Sequence, residues 1–212
     1  MQVVPSSMDE TAHPHVTADE ALHRLIEGNT RYRGGYSRFT GLRPEMLEEL
    51  AQGQQPFATI LGCADSRVPP ELIFDAVLGE LFVIRVAGHV VSPEIAGSLH
   101  YAGTLETPLF LVLGHEGCGA VKAALDSHRH RAQRQSRIAA LVDAILPGLP
   151  DVDPNLTPPA QLSQMVEANV RWTMGQIAES PDGQACLEAG RMMLVGAVYD
   201  MATGRVRLLD VV

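Results

Sequence analysis

The chain predicts an α/β fold with a mainly parallel central sheet flanked by helices and closed by a C-terminal antiparallel hairpin. Three observations carry this. Short apolar runs at 57–62, 81–86, 109–114 and 192–199 lack clean alternation, as strands covered on both faces do. Helical patterns fall between them at about 70–76, 94–105, 118–146 and 158–179, and such alternation implies parallel pairing with right-handed crossovers. Residues 200–204 then form a short turn between 192–199 and 206–211, the signature of a terminal hairpin.

Taken in order, residues 1–16 mix proline, serine and histidine without periodicity and read as a flexible tail, in which His13 and His15 form no site. Thr17 is a plausible N-cap, with Glu20 completing a capping box. Ala21, Leu22, Leu25 and Ile26 follow at helical spacing, so a helix is expected over 18–33. Pro44, Glu45, Leu47 and Leu50 suggest a second helix ending near Gly53. Together these make an N-terminal helical arm ahead of the first strand. Pro147, Pro150, Pro154, Pro158 and Pro159 mark a loop, not a boundary, so 17–212 is expected to be one domain.

Length and composition fit that reading. At 212 residues, 46% hydrophobic and 19% charged, the chain can bury one sizeable core. A formal net charge of -9 excludes general nucleic-acid binding, which needs positive charge to displace counterions. Lys122 is the only lysine, and five of the 16 basic residues lie between Lys122 and Arg137, a run best read as a solvated helix face. No apolar run approaches membrane-spanning length and no basic start precedes an apolar stretch, so no membrane partner and a cytoplasmic location are expected. Three cysteines make no even disulfide framework, and Cys186 reads as an ordinary apolar residue.

The chemistry concentrates in two places. Cys63 directly follows the first predicted strand, His115 follows the third, and Cys118 comes three residues later at the start of a helix. In open parallel sheets ligands bind outside the carboxyl ends of the strands, so the three meet on one rim. Gly117 and Gly119 let the backbone turn tightly between them. Two thiolates and one imidazole leave the fourth tetrahedral position free, as in catalytic zinc. Asp65 and Arg67, at alternate positions after Cys63, can face the same side, where a bidentate Arg contact keeps the carboxylate ionised and aimed.

The stretches Cys63-Ala64-Asp65-Ser66-Arg67 and His115-Glu116-Gly117-Cys118-Gly119 resemble the paired signatures of beta-class carbonic anhydrases of the bacterial type. The similarity continues through residues 79–88, 98–101 and 111–114 and covers roughly 18–212. The resemblance implies one zinc ion per subunit on Cys63, His115 and Cys118, with Asp65 and Arg67 as catalytic dyad. The implied reaction is reversible hydration of carbon dioxide to bicarbonate and a proton by zinc-bound hydroxide. Two thiolates donate more charge than three imidazoles would, so activity should rise on the alkaline side. The resemblance also implies a homodimer or dimer of dimers, with the N-terminal helices wrapping the neighbouring subunit. Gln54, or Gln55 one position on, together with Phe82 and Tyr101 would line the substrate pocket from that neighbour.

One departure bears on regulation. A branch of the family carries tryptophan three residues before the first cysteine, within a non-catalytic bicarbonate site, where this chain has Ile60. Arg85 matches the basic member of that site but occurs in both branches. The bicarbonate site is therefore expected to be absent, with Asp65 off the metal. Two other readings keep the zinc: hydrolysis of carbon disulfide or carbonyl sulfide, and a catalytically silent bicarbonate sensor or assembly component.

Overall fold

A computed structural model describes residues 16–38, 44–130 and 138–212, without the side chains of 128–130. The expected tail apart from Val16, the side chain of Arg129, and Arg131, Arg134 and Arg137 lie outside the described residues.

Helix α1 (Ala18–Gly34) starts on the predicted capping box. Thr17 Oγ1 accepts from the Glu20 N–H at 3.2 Å, and Glu20 Oε2 accepts from the Thr17 N–H at 2.8 Å. Gly35, at φ 73, closes the helix in the left-handed conformation that glycine adopts without strain. Ala21, Leu25, Gly28 and Asn29 are buried within the helix's own chain. Asn29 ties the face down: its Nδ2 donates to the carbonyls of Ile73 (3.1 Å) and Gly204 (2.9 Å), and its Oδ1 accepts from the Val206 N–H at 3.0 Å. A Cβ at position 28 would sit 1.8 Å from the Phe74 carbonyl oxygen, so only glycine allows this approach. Ile26 stays exposed on the other side, while Tyr32 continues the inner face, its hydroxyl 3.1 Å from that of Tyr199.

The remaining helices are α2 (Pro44–Leu50), α3 (Pro70–Ile73), α4 (Pro93–Thr104), α5 (Gly119–His130), α6 (Ala139–Ile145), α7 (Pro158–Ala178) and α8 (Pro181–Glu188). Short 3-10 turns cover Ala87–His89 and Leu146–Gly148. The strands are β1 (Ala58–Gly62), β2 (Leu81–Arg85), β3 (Leu109–His115), β4 (Met193–Tyr199) and β5 (Val206–Val211). No described helix is long and apolar enough to cross a membrane.

The sheet runs β2-β1-β3-β4-β5, parallel except for the antiparallel β4–β5 pair. Every residue of β1 and β3 is buried, which explains their unbroken apolar character; β2 and β5, on the edges, are only partly covered. This order positions the site. From β1 the chain moves outward to β2, then crosses to β3 on the other side of β1 and continues to β4. Connections leaving β1 and β3 therefore diverge, and the crevice between their carboxyl ends is the switch point where such sheets bind ligands.

Two expectations need correction. A single helix over 118–146 is not what forms: α5 and α6 pack against each other, which segments of one straight helix cannot do. Ala124 of α5 meets Val142 and Ile145 of α6 and Val90 in a small apolar cluster, so the chain reverses to bury both faces. Helix α8 lies where no helix was expected. Its start is nonetheless ordinary, with Ser180 Oγ accepting from the Gly183 N–H at 3.1 Å and Pro181 in the first turn.

Candidate metal centre

The register of the inner strands explains how distant residues meet. Gly62 pairs with Leu113 across β1 and β3, so Cys63 leaves β1 level with Gly114. His115, expected just beyond its strand, is the last residue of β3, one step from Cys63. Gly117, at φ 68, turns the chain, and Cys118 stands immediately before α5, its carbonyl accepting the Lys122 N–H at 2.9 Å. Cys63 Sγ, Cys118 Sγ and a His115 ring nitrogen all lie within 4.8 Å of one another, and all three residues are buried.

The donor set fits zinc. The His115 Nδ1–H donates to the Glu116 carbonyl at 3.0 Å, leaving the lone pair on Nε2. That Nε2 is buried and, among the described residues, has no hydrogen-bond partner. Leaving a buried acceptor unpaired costs about 1–3 kcal/mol, which coordination offsets. Neither cysteine is in a disulfide. Cys63 is held as the thiolate, far below the ordinary thiol range, by the hydrogen bond from Cys118; the Gly88 N–H, 3.4 Å from Cys63 Sγ, adds to this against the opposing effect of burial. The same contact, and then burial, pushes the Cys118 thiol up.

The loop after Cys63 is rigidly held. Arg67 Nε donates to Asp65 Oδ1 at 2.9 Å and Nη2 to Oδ2 at 2.8 Å, while the Arg67 backbone N–H reaches Oδ1 at 3.0 Å. The guanidinium, more than any other group, holds the Asp65 carboxyl well below the usual carboxylate range. Arg85 braces the same loop from β2, donating to the carbonyls of Cys63 (Nε, 3.0 Å) and Asp65 (Nη2, 2.6 Å). Sequence had matched Arg85 only to a non-catalytic bicarbonate site.

Within the single chain the three residues expected to line a neighbour's pocket lie in two places. Phe82 and Tyr101 pack as a tilted aromatic pair, ring centroids 5.8 Å apart, with Tyr101 about half exposed. Gln54 lines a surface groove with Met46, Leu50, Leu78 and Gly79, whose walls do not include the cysteines or His115. Cys186, read as an ordinary apolar residue, is partly buried and lines a largely apolar cavity of about 300 Å³ between α4, α7 and α8. Gly88, Asn169 and Thr173 were not foreseen near the site; a backbone N–H aimed at a sulfur leaves no mark on side-chain identity.

Known proteins agree with this geometry. A family model described as carbonic anhydrase matches residues 58–206. The chain is 36% identical over 210 residues to carbonic anhydrase 2 of Mycobacterium tuberculosis, covering 93% of this chain and 95% of that protein. It is 34% identical over 208 residues to a carbonic anhydrase of Pseudomonas aeruginosa, covering 89% and 88%. Among solved structures, the beta-carbonic anhydrase CcaA superposes with TM-score 0.71 at 29% identity over 89% of this chain and 87% of that one. A Coccomyxa beta-carbonic anhydrase in complex with acetazolamide gives 0.70 at 28% over 90% and 87%. With a Cys-Cys-His cluster at the switch point of the same sheet, this chain belongs to the beta-carbonic anhydrases, which are zinc enzymes.

Proposed function

We propose that the chain interconverts carbon dioxide and bicarbonate at a zinc ion held by Cys63, His115 and Cys118, with Asp65 and Arg67 as its catalytic dyad. The observation that carries this reading is a buried three-ligand cluster with an ionised, two-point-anchored carboxylate two residues from its first cysteine. Zinc, when bound there, supplies a Lewis acid that makes water nucleophilic near neutral pH.

Asp65 orients that water and does not store its proton. A carboxylate has about four lone-pair directions. Oδ1 uses two of them on Arg67 Nε and the Arg67 N–H, whereas among the described residues Oδ2 accepts from Arg67 Nη2 alone. Oδ2 is therefore the atom free to accept a hydrogen bond from a water beside the cluster. Because Arg67 keeps the group ionised, it stays an acceptor across the working pH range. The same grip supports an open site in which Asp65 remains off the metal. Arg85 keeps the carboxylate from swinging by fixing the loop carbonyls.

Carbon dioxide carries no charge to grip, so its pocket must be apolar with few polar groups. In this reading Phe82, Tyr101 and Gln54 supply it to the neighbouring subunit of a homodimer or dimer of dimers. The exposure of Tyr101 and Gln54 in the single chain supports that placement. Residues 17–212 act as one catalytic domain. A reducing cytoplasm suits two free thiol ligands that oxidation would pair.

Stopped-flow measurement of carbon dioxide hydration on zinc-loaded protein tests the function. Cys118→Ser should lose zinc and turnover together; full turnover in that variant would sink the proposal.

A further inference from the structure

Behind the metal centre lies a buried polar cluster with no part in the chemistry above. His89, Asn169 and Thr173 are each 1% exposed, and the latter two come from α7. Gly88 and His89 are both in the left-handed region, at φ 68 and 44. Histidine adopts that conformation at a cost, so the surrounding structure must hold the turn in place.

Helix α7 does so. Asn169 Nδ2 donates to the Gly88 carbonyl at 3.0 Å and lies 3.4 Å from His89 Nε2. Thr173 Oγ1 is 3.2 Å from His89 Nδ1 and donates to the His89 carbonyl at 3.4 Å. One proton arrangement satisfies all four contacts: a neutral ring protonated on Nδ1, donating to Thr173 and accepting from Asn169. Burial keeps the ring neutral, pushing its pKa down to about 4.

Bracing the carbonyls of Gly88 and His89 holds the turn whose Gly88 N–H donates to Cys63 Sγ at 3.4 Å. A side chain there would be strained at φ 68, and its Cβ would crowd Ile145 Cδ1 at 2.8 Å and Ala120 Cβ at 3.1 Å. Asn169 also leaves its Oδ1 buried and, among the described residues, without a hydrogen-bond partner. Packing alone would favour leucine at such a position, because an unmet buried acceptor costs free energy. What the asparagine supplies is its donor end.

We propose that Asn169, with Thr173 and His89, is a positioning residue for the metal centre, fixing the Gly88 N–H on the Cys63 sulfur and so setting that sulfur's charge donation and grip on the metal. This rests on the reading of Cys63 as a zinc ligand. Outer partners of metal ligands typically account for about 10–100-fold in metal affinity.

The test measures zinc dissociation constants by chelator competition, and the sulfur-to-cobalt charge-transfer band after cobalt(II) substitution, in full-length protein. Asn169→Leu should weaken zinc binding by about tenfold or more and shift the cobalt band. Thr173→Val, nearly isosteric, should do the same to a smaller extent and carries the test if the leucine variant does not fold. Ile177→Ala, on the same helix but away from the cluster, should lower the melting temperature and leave both readouts unchanged. Wild-type zinc affinity and cobalt band in the Asn169 and Thr173 variants would overturn the positioning role alone. Wild-type protein that binds no zinc would overturn the metal site itself.

Discussion

Two aspartates in this chain are each gripped by arginine, in opposite settings. Asp65 takes its arginine from two residues away, on a partly open loop beside the cluster. Asp75 takes Arg31 Nε at 2.6 Å from α1, 44 residues earlier, with its side chain only 3% exposed. Ser37 Oγ (2.8 Å) and the Arg38 N–H (2.9 Å) complete its shell, while Arg38 Nη2 donates to the Asp75 carbonyl at 3.0 Å and also pairs with Glu80. One pair aims a carboxylate and fastens nothing else; the other fastens α1 to the body of the fold. The chemistry of an ion pair does not reveal its role; the elements that it joins do.

That contrast can be broken by exchanging the expected losses. Asp65→Asn should cut carbon dioxide turnover by about 10²-fold or more, the loss usual when a reacting group is misoriented. Chemical denaturation should show its stability changed by no more than about 1 kcal/mol, because the pair is local and partly exposed.

Asp75→Ala should do the reverse. It leaves Arg31 and Arg38 without their buried partner and should lower the unfolding free energy by about 2–4 kcal/mol, read from a denaturant midpoint, while turnover of the folded protein holds. A variant of normal stability would show that α1 is held by Asn29 and its apolar face alone.

The smallest effect concerns pH. Burial raises the Asp75 carboxyl, but the hydrogen bonds from Arg31, Ser37 and the Arg38 N–H more than reverse this, so its folded pKa lies below the ordinary value. Its stabilising contribution is therefore complete above the unfolded value of about 3.9 and disappears as pH falls through the folded pKa. Asp75→Asn should flatten the acid limb of a stability-versus-pH curve. An unchanged limb would assign acid sensitivity to other carboxylates.

Much of the site could be read from sequence because its parts sit where strands end. Cys63 and His115 were placed by apolar runs alone, and Asp65 with Arg67 followed from alternation along an extended loop. The capping box at Thr17 and Glu20 was equally legible, being a local pattern with a local partner. What sequence missed depends on long-range packing. The reversal between α5 and α6 comes from Ala124, Val142 and Ile145 closing on Val90, residues that also fit one continuous helix. Asp75 and Asn29 gave no signal, since their partners lie tens to more than a hundred positions away. Asn169 sits in a helical stripe where it looks like an ordinary break in apolar spacing.

The central claim is that catalysis resides in zinc on Cys63, His115 and Cys118 with Asp65 beside it. The most direct test is stopped-flow hydration of carbon dioxide by zinc-loaded wild type, Asp65→Asn and Asp75→Asn, at one pH and a temperature where all are folded, with zinc content measured on the same samples. The account predicts one zinc per chain in all three and turnover lost only in Asp65→Asn. Wild-type turnover in Asp65→Asn, or an equal loss in Asp75→Asn, would contradict it.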